Sequence, residues 1–276
     1  MRSAPLGNAM AFALLVAAAA TTGACIGTTG GGLVSFPAYA SGPKDVDPTQ
    51  SFRVSSGFDV RLNVATMHLG ALYVNTAPPS TGSQSTSCVN PGQYVAQANG
   101  AVDVNLLTDT PQRFSVDGNG TADVARSAEL WLSGRDINSV SDSPIIVTLA
   151  GTASRGGNAY PFRATVTIGA NRLKPVSNTA LPGLNPICRQ RIVSGVPVNV
   201  RIFEGGALYL RIDPRGWFNN VDFSKLDPDP RDPSGWVIPD SDSSGTAGEA
   251  AGRGLFTGIR TGVLPSGASA YAITFE

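Results

Sequence analysis

Apolar and polar residues alternate through the middle of this chain, and this period of two constrains the fold more than any other feature. Between residues 58 and 64, the apolar positions are Phe58, Val60, Leu62 and Val64. Successive side chains of a β-strand point to opposite faces, so the pattern predicts a strand with one of its faces buried. Similar segments recur at 67–74, 102–107, 129–132, 145–150, 162–168, 196–203, 208–212 and 270–275.

Turn-forming residues separate these segments, as in DGNG at 117–120 and SRGGN at 154–158. Many short strands broken by Gly, Pro, Asn and Asp predict a mainly β fold. We expect an antiparallel β-sandwich, or a sandwich-like barrel, with long loops and little helix. Two segments stay ambiguous: 123–132 also fits an amphipathic helix, and 246–249 has the spacing of a helix capping box.

The N-terminus carries a short apolar run. Residues 9–20 lack polar side chains, and Arg2 is the only charge before them. Twelve residues rise about 18 Å as a helix, well short of a hydrocarbon core of roughly 30 Å. The layout is typical of a secretory signal peptide, so residues 1–24 are expected to be removed.

The run ends in Thr22-Gly23-Ala24-Cys25. This segment resembles the lipobox of bacterial secreted lipoproteins, with Thr22 standing where an aliphatic residue is usual. The resemblance implies export, cleavage before Cys25 and a lipid on that cysteine. Ordinary signal-peptidase cleavage is the alternative, since Thr22-Gly23-Ala24 also fits a small-x-small site.

Domain boundaries follow from composition. Residues 25–50 are rich in Gly, Ser, Thr and Pro, which is typical of a flexible tether. We therefore expect a tether at 25–50 and a β domain at 51–276, with an Asp- and Pro-rich loop at 224–250.

The cysteine count supports the lipid assignment. The chain holds three cysteines, and a lipid on Cys25 leaves Cys88 and Cys188. Exported proteins keep cysteines in pairs, so we predict a Cys88–Cys188 disulfide. Two buried free thiols are the alternative.

The net charge argues against nucleic acid. The chain has 20 basic and 20 acidic residues, and removal of the signal peptide takes away only Arg2. Proteins that bind nucleic acid or anionic membranes through charge carry a basic surface, and no such excess exists here.

The segment 224–250 is a candidate calcium loop. Carboxylate oxygens are the ligands that Ca²⁺ prefers, and this stretch concentrates them. A solvated, proline-stiffened loop is the alternative, since the segment departs from the EF-hand pattern. The candidate ligands are Asp227, Asp229, Asp232, Asp240 and Asp242.

Three aromatic residues flank this loop: Trp217, Phe218 and Trp236. Exposed rings offer a large contact area for a sugar or a protein partner. The alternative is that they anchor the loop to the core.

No catalytic residues are predicted. His68 is the only histidine, lies in a predicted strand and lacks a G-x-S-x-G nucleophile motif. A single histidine also rules out a histidine-rich metal centre. Apart from the calcium loop, we expect no cofactor.

These observations predict a non-enzymatic cell-envelope lipoprotein that acts as a binding or assembly module at the outer membrane or cell surface. Its partners would be the membrane, through the lipid, and a protein or glycan. The alternatives are a carbohydrate-binding β-sandwich and a secreted hydrolase that uses a carboxylate pair.

Overall fold

The computed structural model describes residues 31–77, 94–133, 136–172, 187–241 and 245–276. Over these residues the chain is mainly β, as the alternation predicts, with seventeen strands and two α-helices. The strands form three sheets that share one hydrophobic core.

The first sheet is entirely antiparallel. In spatial order its six strands are β1 (Leu33–Phe36), β9 (Gly118–Thr121), β6 (Tyr94–Ala98), β5 (Ala71–Asn75), β10 (Val124–Trp131) and β13 (Ile192–Arg201). The ambiguous segment at 123–132 is therefore a strand, because it pairs with β5 on one side and β13 on the other.

The second sheet contains one parallel pair, between β12 and β16, where only antiparallel pairs were expected. Its spatial order is β15 (Asp227–Asp229), β16 (Asp232–Ile238), β12 (Asn158–Thr167), β11 (Ile145–Arg155), β4 (Asp59–Leu69) and β3 (Phe52–Arg53). A further strand, β7 (Val102–Asn105), also pairs with β4.

The third sheet joins the two ends of the described chain. In spatial order it holds β17 (Tyr271–Phe275), β14 (Leu208–Ile212), β2 (Ala38–Ser41) and β8 (Gln112–Arg113). The pair β14–β2 is parallel, so the sheet is mixed.

The alternation in β4 changes face halfway along the strand. Val60 and Leu62 are buried as predicted, but Val64 is 39% exposed and Ala65 is buried in its place. A β-bulge opposite Ala150 and Gly151 inserts one extra residue into β4, and this insertion reverses the facing of the residues that follow.

Part of the expected tether is folded, because residues 33–41 contain strands β1 and β2. Phe36, Ala38 and Ala40 are buried in the core. Strand β1 pairs with β9, and β2 lies between β14 and β8. A Gly- and Ser-rich composition did not prevent these strands, because their few apolar residues alternate and find partners far along the chain.

The expected loop at 224–250 is also largely regular structure. It contains β15, β16 and the start of helix α2 (Ala247–Thr261). The capping box predicted from the spacing is present, since the Thr246 hydroxyl accepts from the Glu249 N–H and the Glu249 carboxylate accepts from the Thr246 N–H. The helix ends at Gly262, which adopts the left-handed conformation with a φ of 53°.

A shorter helix, α1 (Ile187–Gln190), lies beside α2, and the Arg260 guanidinium of α2 donates a hydrogen bond of 2.8 Å to the Arg189 carbonyl. Helix α2 also packs closely against the 3-10 turn Pro214–Phe218. A Cβ atom at Gly258 would lie 2.1 Å from the Trp217 carbonyl oxygen, so only glycine fits there.

Candidate functional site

The aspartates predicted to bind calcium have other partners in the structure. Asp229 is buried and accepts hydrogen bonds from the Arg163 guanidinium, and this contact lowers the pKa of Asp229 to about 2. Asp232 accepts from the N–H and hydroxyl of Ser234, at 3.0 and 2.7 Å. Its hydrogen bonds therefore close a local turn.

Asp240 accepts a hydrogen bond from a second arginine, Arg172. It also accepts a hydrogen bond of 2.6 Å from the Thr167 hydroxyl. Asp227 lies at the start of β15, and Asp242 lies outside the described residues. In the described ranges, no group of three or more Asp, Glu, His or Cys side chains is placed to hold a metal ion. Arginines pair with two of the five candidate carboxylates, those of Asp229 and Asp240.

The aromatic residues predicted to contact a ligand belong mainly to the core. Trp217 and Phe218 have no exposed surface, and Trp236 is half-buried against Tyr160, with 6.0 Å between ring centroids. The Phe218 ring also contacts the ring of Phe162. The structure therefore supports the alternative in which these rings anchor the segment.

His68 lies on β4, as predicted, and forms a surface pair with Asp103 of the neighbouring strand β7. Its Nδ1 atom is 2.7 Å from an Asp103 carboxylate oxygen, and the Asp103 side chain is 88% exposed. An exposed pair of this kind lacks the water-excluded surroundings in which a catalytic histidine operates.

Of the three cysteines, the described residues include only Cys188. It is buried in helix α1. Cys25 and Cys88 lie outside the described residues, so the lipid and the disulfide stay predictions.

Sequence reasoning missed a polar cluster that surrounds one buried carboxylate on the first sheet, on the face turned away from the shared core. Glu129 of β10 is only 1% exposed. Its carboxylate accepts hydrogen bonds from the hydroxyls of Tyr94 at 3.3 Å and Ser194 at 3.2 Å. The Tyr73 ring lies 4.8 Å from the rings of both Tyr94 and Trp131. We name these five residues the Glu129 cluster.

The Glu129 cluster combines a carboxylate with hydroxyl groups and aromatic rings. Burial, together with the negative charge of Glu129, raises the pKa of Tyr73, so the phenol stays protonated. In the described part of the chain, the buried Nε1 atom of Trp131 has no hydrogen-bond partner. Such a group of donors and one acceptor can hold a polar ligand or stabilise the sheet.

The sequence carried only a weak signal for this cluster. Ser127, Glu129 and Trp131 alternate with Ala128 and Leu130, which is the pattern of an ordinary strand with one solvent-exposed face. In the structure residues 127–130 are all buried, so both faces of the strand are covered there. The tryptophan on the polar face was the one residue that hinted at burial.

Comparison with known proteins returned no relative: no protein-family model, curated protein or solved structure matches this chain. In the residues described, helices are too short or too polar to cross a bilayer.

Proposed function

We propose that this chain is an exported cell-envelope lipoprotein, anchored by a lipid on Cys25, whose β domain is a non-enzymatic binding or assembly module. The apolar run at 9–20 and the position of Cys25 directly after it support export and anchoring. The balance of 20 basic and 20 acidic residues favours proteins and small molecules over nucleic acid as partners.

The observation that carries the anchoring proposal is the position of Cys25 directly after the apolar run, and the start of the folded domain limits how far from the lipid the domain would lie. Strand β1 begins at Leu33, only eight residues after Cys25. Eight residues span at most about 28 Å even when fully extended. A lipid on Cys25 would therefore hold the β domain close to the bilayer. The N-terminal end of β1 would face the membrane.

The partners of the buried carboxylates favour binding over hydrolysis. A carboxylate-pair hydrolase needs two acids about 5–9.5 Å apart beside its substrate. The described partners of Glu129 are hydroxyl groups, and those of Asp229 are an arginine and a backbone N–H. The rings named for the carbohydrate alternative lie mainly in the core, so the general binding module is the proposal that we retain.

The anchor is tested by expressing the Cys25→Ser variant in a bacterial host and following the incorporation of labelled fatty acid. We expect the unaltered chain to be labelled and to fractionate with membranes, and Cys25→Ser to be unlabelled and lost from that fraction. Two acyl chains suffice for stable anchoring, since each buried CH₂ contributes about 0.8 kcal/mol.

Thr22→Leu is the matched control, because it places an aliphatic residue at the usual lipobox position and leaves Cys25 intact. It should be labelled at least as well as the unaltered chain. Mature, unlabelled and soluble protein from both the unaltered chain and Thr22→Leu would contradict the proposal.

A further inference from the structure

A cavity of about 340 Å³ lies beside helices α1 and α2, on the surface of the domain. Its volume falls within the range typical of small-molecule sites, about 300–1,000 Å³. None of its six lining residues is acidic. They are Gln190, Arg253, Phe256, Thr257, Arg260 and Thr261, and we name this site the arginine cavity.

Arg260 is the central group of the cavity and is incompletely satisfied. Its Nη2 atom donates to the Arg189 carbonyl, whereas its buried Nε atom has no hydrogen-bond partner among the described residues. Burial lowers the pKa of Arg260, and the positive charge of Arg189 lowers it further. An anion placed in the cavity would supply the negative charge that Arg260 lacks among the described residues.

Other buried or half-buried arginines of this chain have acceptors of their own. Arg163 and Arg215 pair with Asp229 and Asp213, and the deeply buried Arg191 donates to three backbone carbonyl groups. Within the described ranges, Arg260 has no ion pair and a single hydrogen bond.

A second guanidinium and a ring complete the site. Arg253 is exposed at the cavity, seven residues or about two helical turns before Arg260 on the same helix. The Phe256 ring, between them in sequence, is already covered by Arg172 at 4.2 Å from its centroid. Arg172 is paired with Asp240, and Arg253 and Arg260 are the two arginines that line the cavity.

We propose that the arginine cavity binds a small ligand through an oxyanion group, either a carboxylate or a phosphate. The planar fork of Arg260 matches two oxygens of such a group, Arg253 adds a charge-assisted hydrogen bond, and Gln190 and Thr257 also line the cavity. The site does not involve Cys25, so this proposal is tested independently of the anchoring proposal.

Binding is tested on the purified protein by calorimetry and thermal denaturation with succinate and with inorganic phosphate, each compared with sodium chloride at equal ionic strength. At least one of the two probes should bind and raise the melting temperature beyond the chloride reference. The stronger probe identifies the carboxylate or the phosphate as the preferred group.

Arg253→Gln removes one contact at an exposed position and should weaken that probe about tenfold, the value of one charge-assisted hydrogen bond. Arg260→Lys keeps the charge but removes the fork, and it should weaken the probe by a similar factor. Arg201→Gln, an exposed change at the far end of β13, is the matched control and should leave binding unchanged. No effect beyond chloride, or equal binding by the unaltered protein and Arg253→Gln, would overturn the proposal.

Discussion

The contact between Asp229 and Arg163 makes part of the stability of this protein depend on pH. The pKa of Asp229 is lowered from an ordinary 3.8 to about 2 in the folded chain, first of all by its hydrogen bonds from Arg163. In acid the unfolded chain therefore takes up this proton before the folded chain does. The stabilisation is complete above about pH 4 and is lost as the pH falls toward 2.

For Asp229→Asn we predict a lower melting temperature than that of the unaltered protein at pH 7. The difference should shrink as the pH falls from about 4 to 2, because the carboxylate of the unaltered protein then becomes protonated as well. Circular dichroism melts between pH 2 and 7 measure this. Asp45→Asn, at an exposed carboxylate, should change stability by no more than about 0.5 kcal/mol. A difference that stays constant with pH would contradict the assignment.

At the scale of elements, the close approach of helix α2 to the turn Pro214–Phe218 decides what the helix tolerates. Ala is a better helix former than Gly by about 1 kcal/mol, so Gly258→Ala would stabilise an exposed helix. Here the added methyl would meet the Trp217 carbonyl at 2.1 Å. The helix would have to move away from the core.

We therefore predict that Gly258→Ala lowers the free energy of unfolding by about 1–3 kcal/mol, the usual cost of overpacking. Urea denaturation gives this value directly. Thr257→Ala is the neighbouring control at an exposed position, where the same propensity argument applies without a clash, and it should be neutral or slightly stabilising. A more stable Gly258→Ala variant would show that α2 packs less closely than described.

At the scale of the whole molecule, the third sheet brings the two ends of the described chain to one strand. Strand β14 pairs with β2 from the beginning and with β17 from the end. The N-terminal segment is thus part of the domain core. This pairing explains how a Gly-rich stretch with the composition of a tether becomes ordered from Leu33 onward.

A Cys88–Cys188 disulfide would add a second long-range connection. It would close a loop of about 100 residues and stabilise by up to about 4.7 kcal/mol in the chain-entropy model. We predict that a reducing agent lowers the melting temperature of the unaltered protein, and that the double variant Cys88→Ser with Cys188→Ser does not respond to it. A peptide map without reductant should show the two cysteine peptides joined. Recovery of both as separate alkylated peptides would end this prediction.

The predictions that succeeded concern neighbouring residues. Period-two alternation identified β4, β11 and β14, and the spacing of Thr246 and Glu249 indicated the start of α2. Strand facing and capping are determined within a few residues, so the order of side chains along the chain carries the information.

Only the tertiary structure decided which partner each polar group has. Asp229 and Arg163 are 66 residues apart, so no local pattern could show that Asp229 binds an arginine and not a metal ion. The same holds for Glu129, which alternates like a surface residue but is buried. By itself the sequence determined a mainly β chain and several of its strands, but it did not indicate β1 and β2 in the expected tether or β15 and β16 in the expected loop. The sheet order, the burial of Glu129 and the surroundings of Arg260 depended on which distant segments pack together, because hydrogen bonding and charge neutralisation act through space and are independent of distance along the chain.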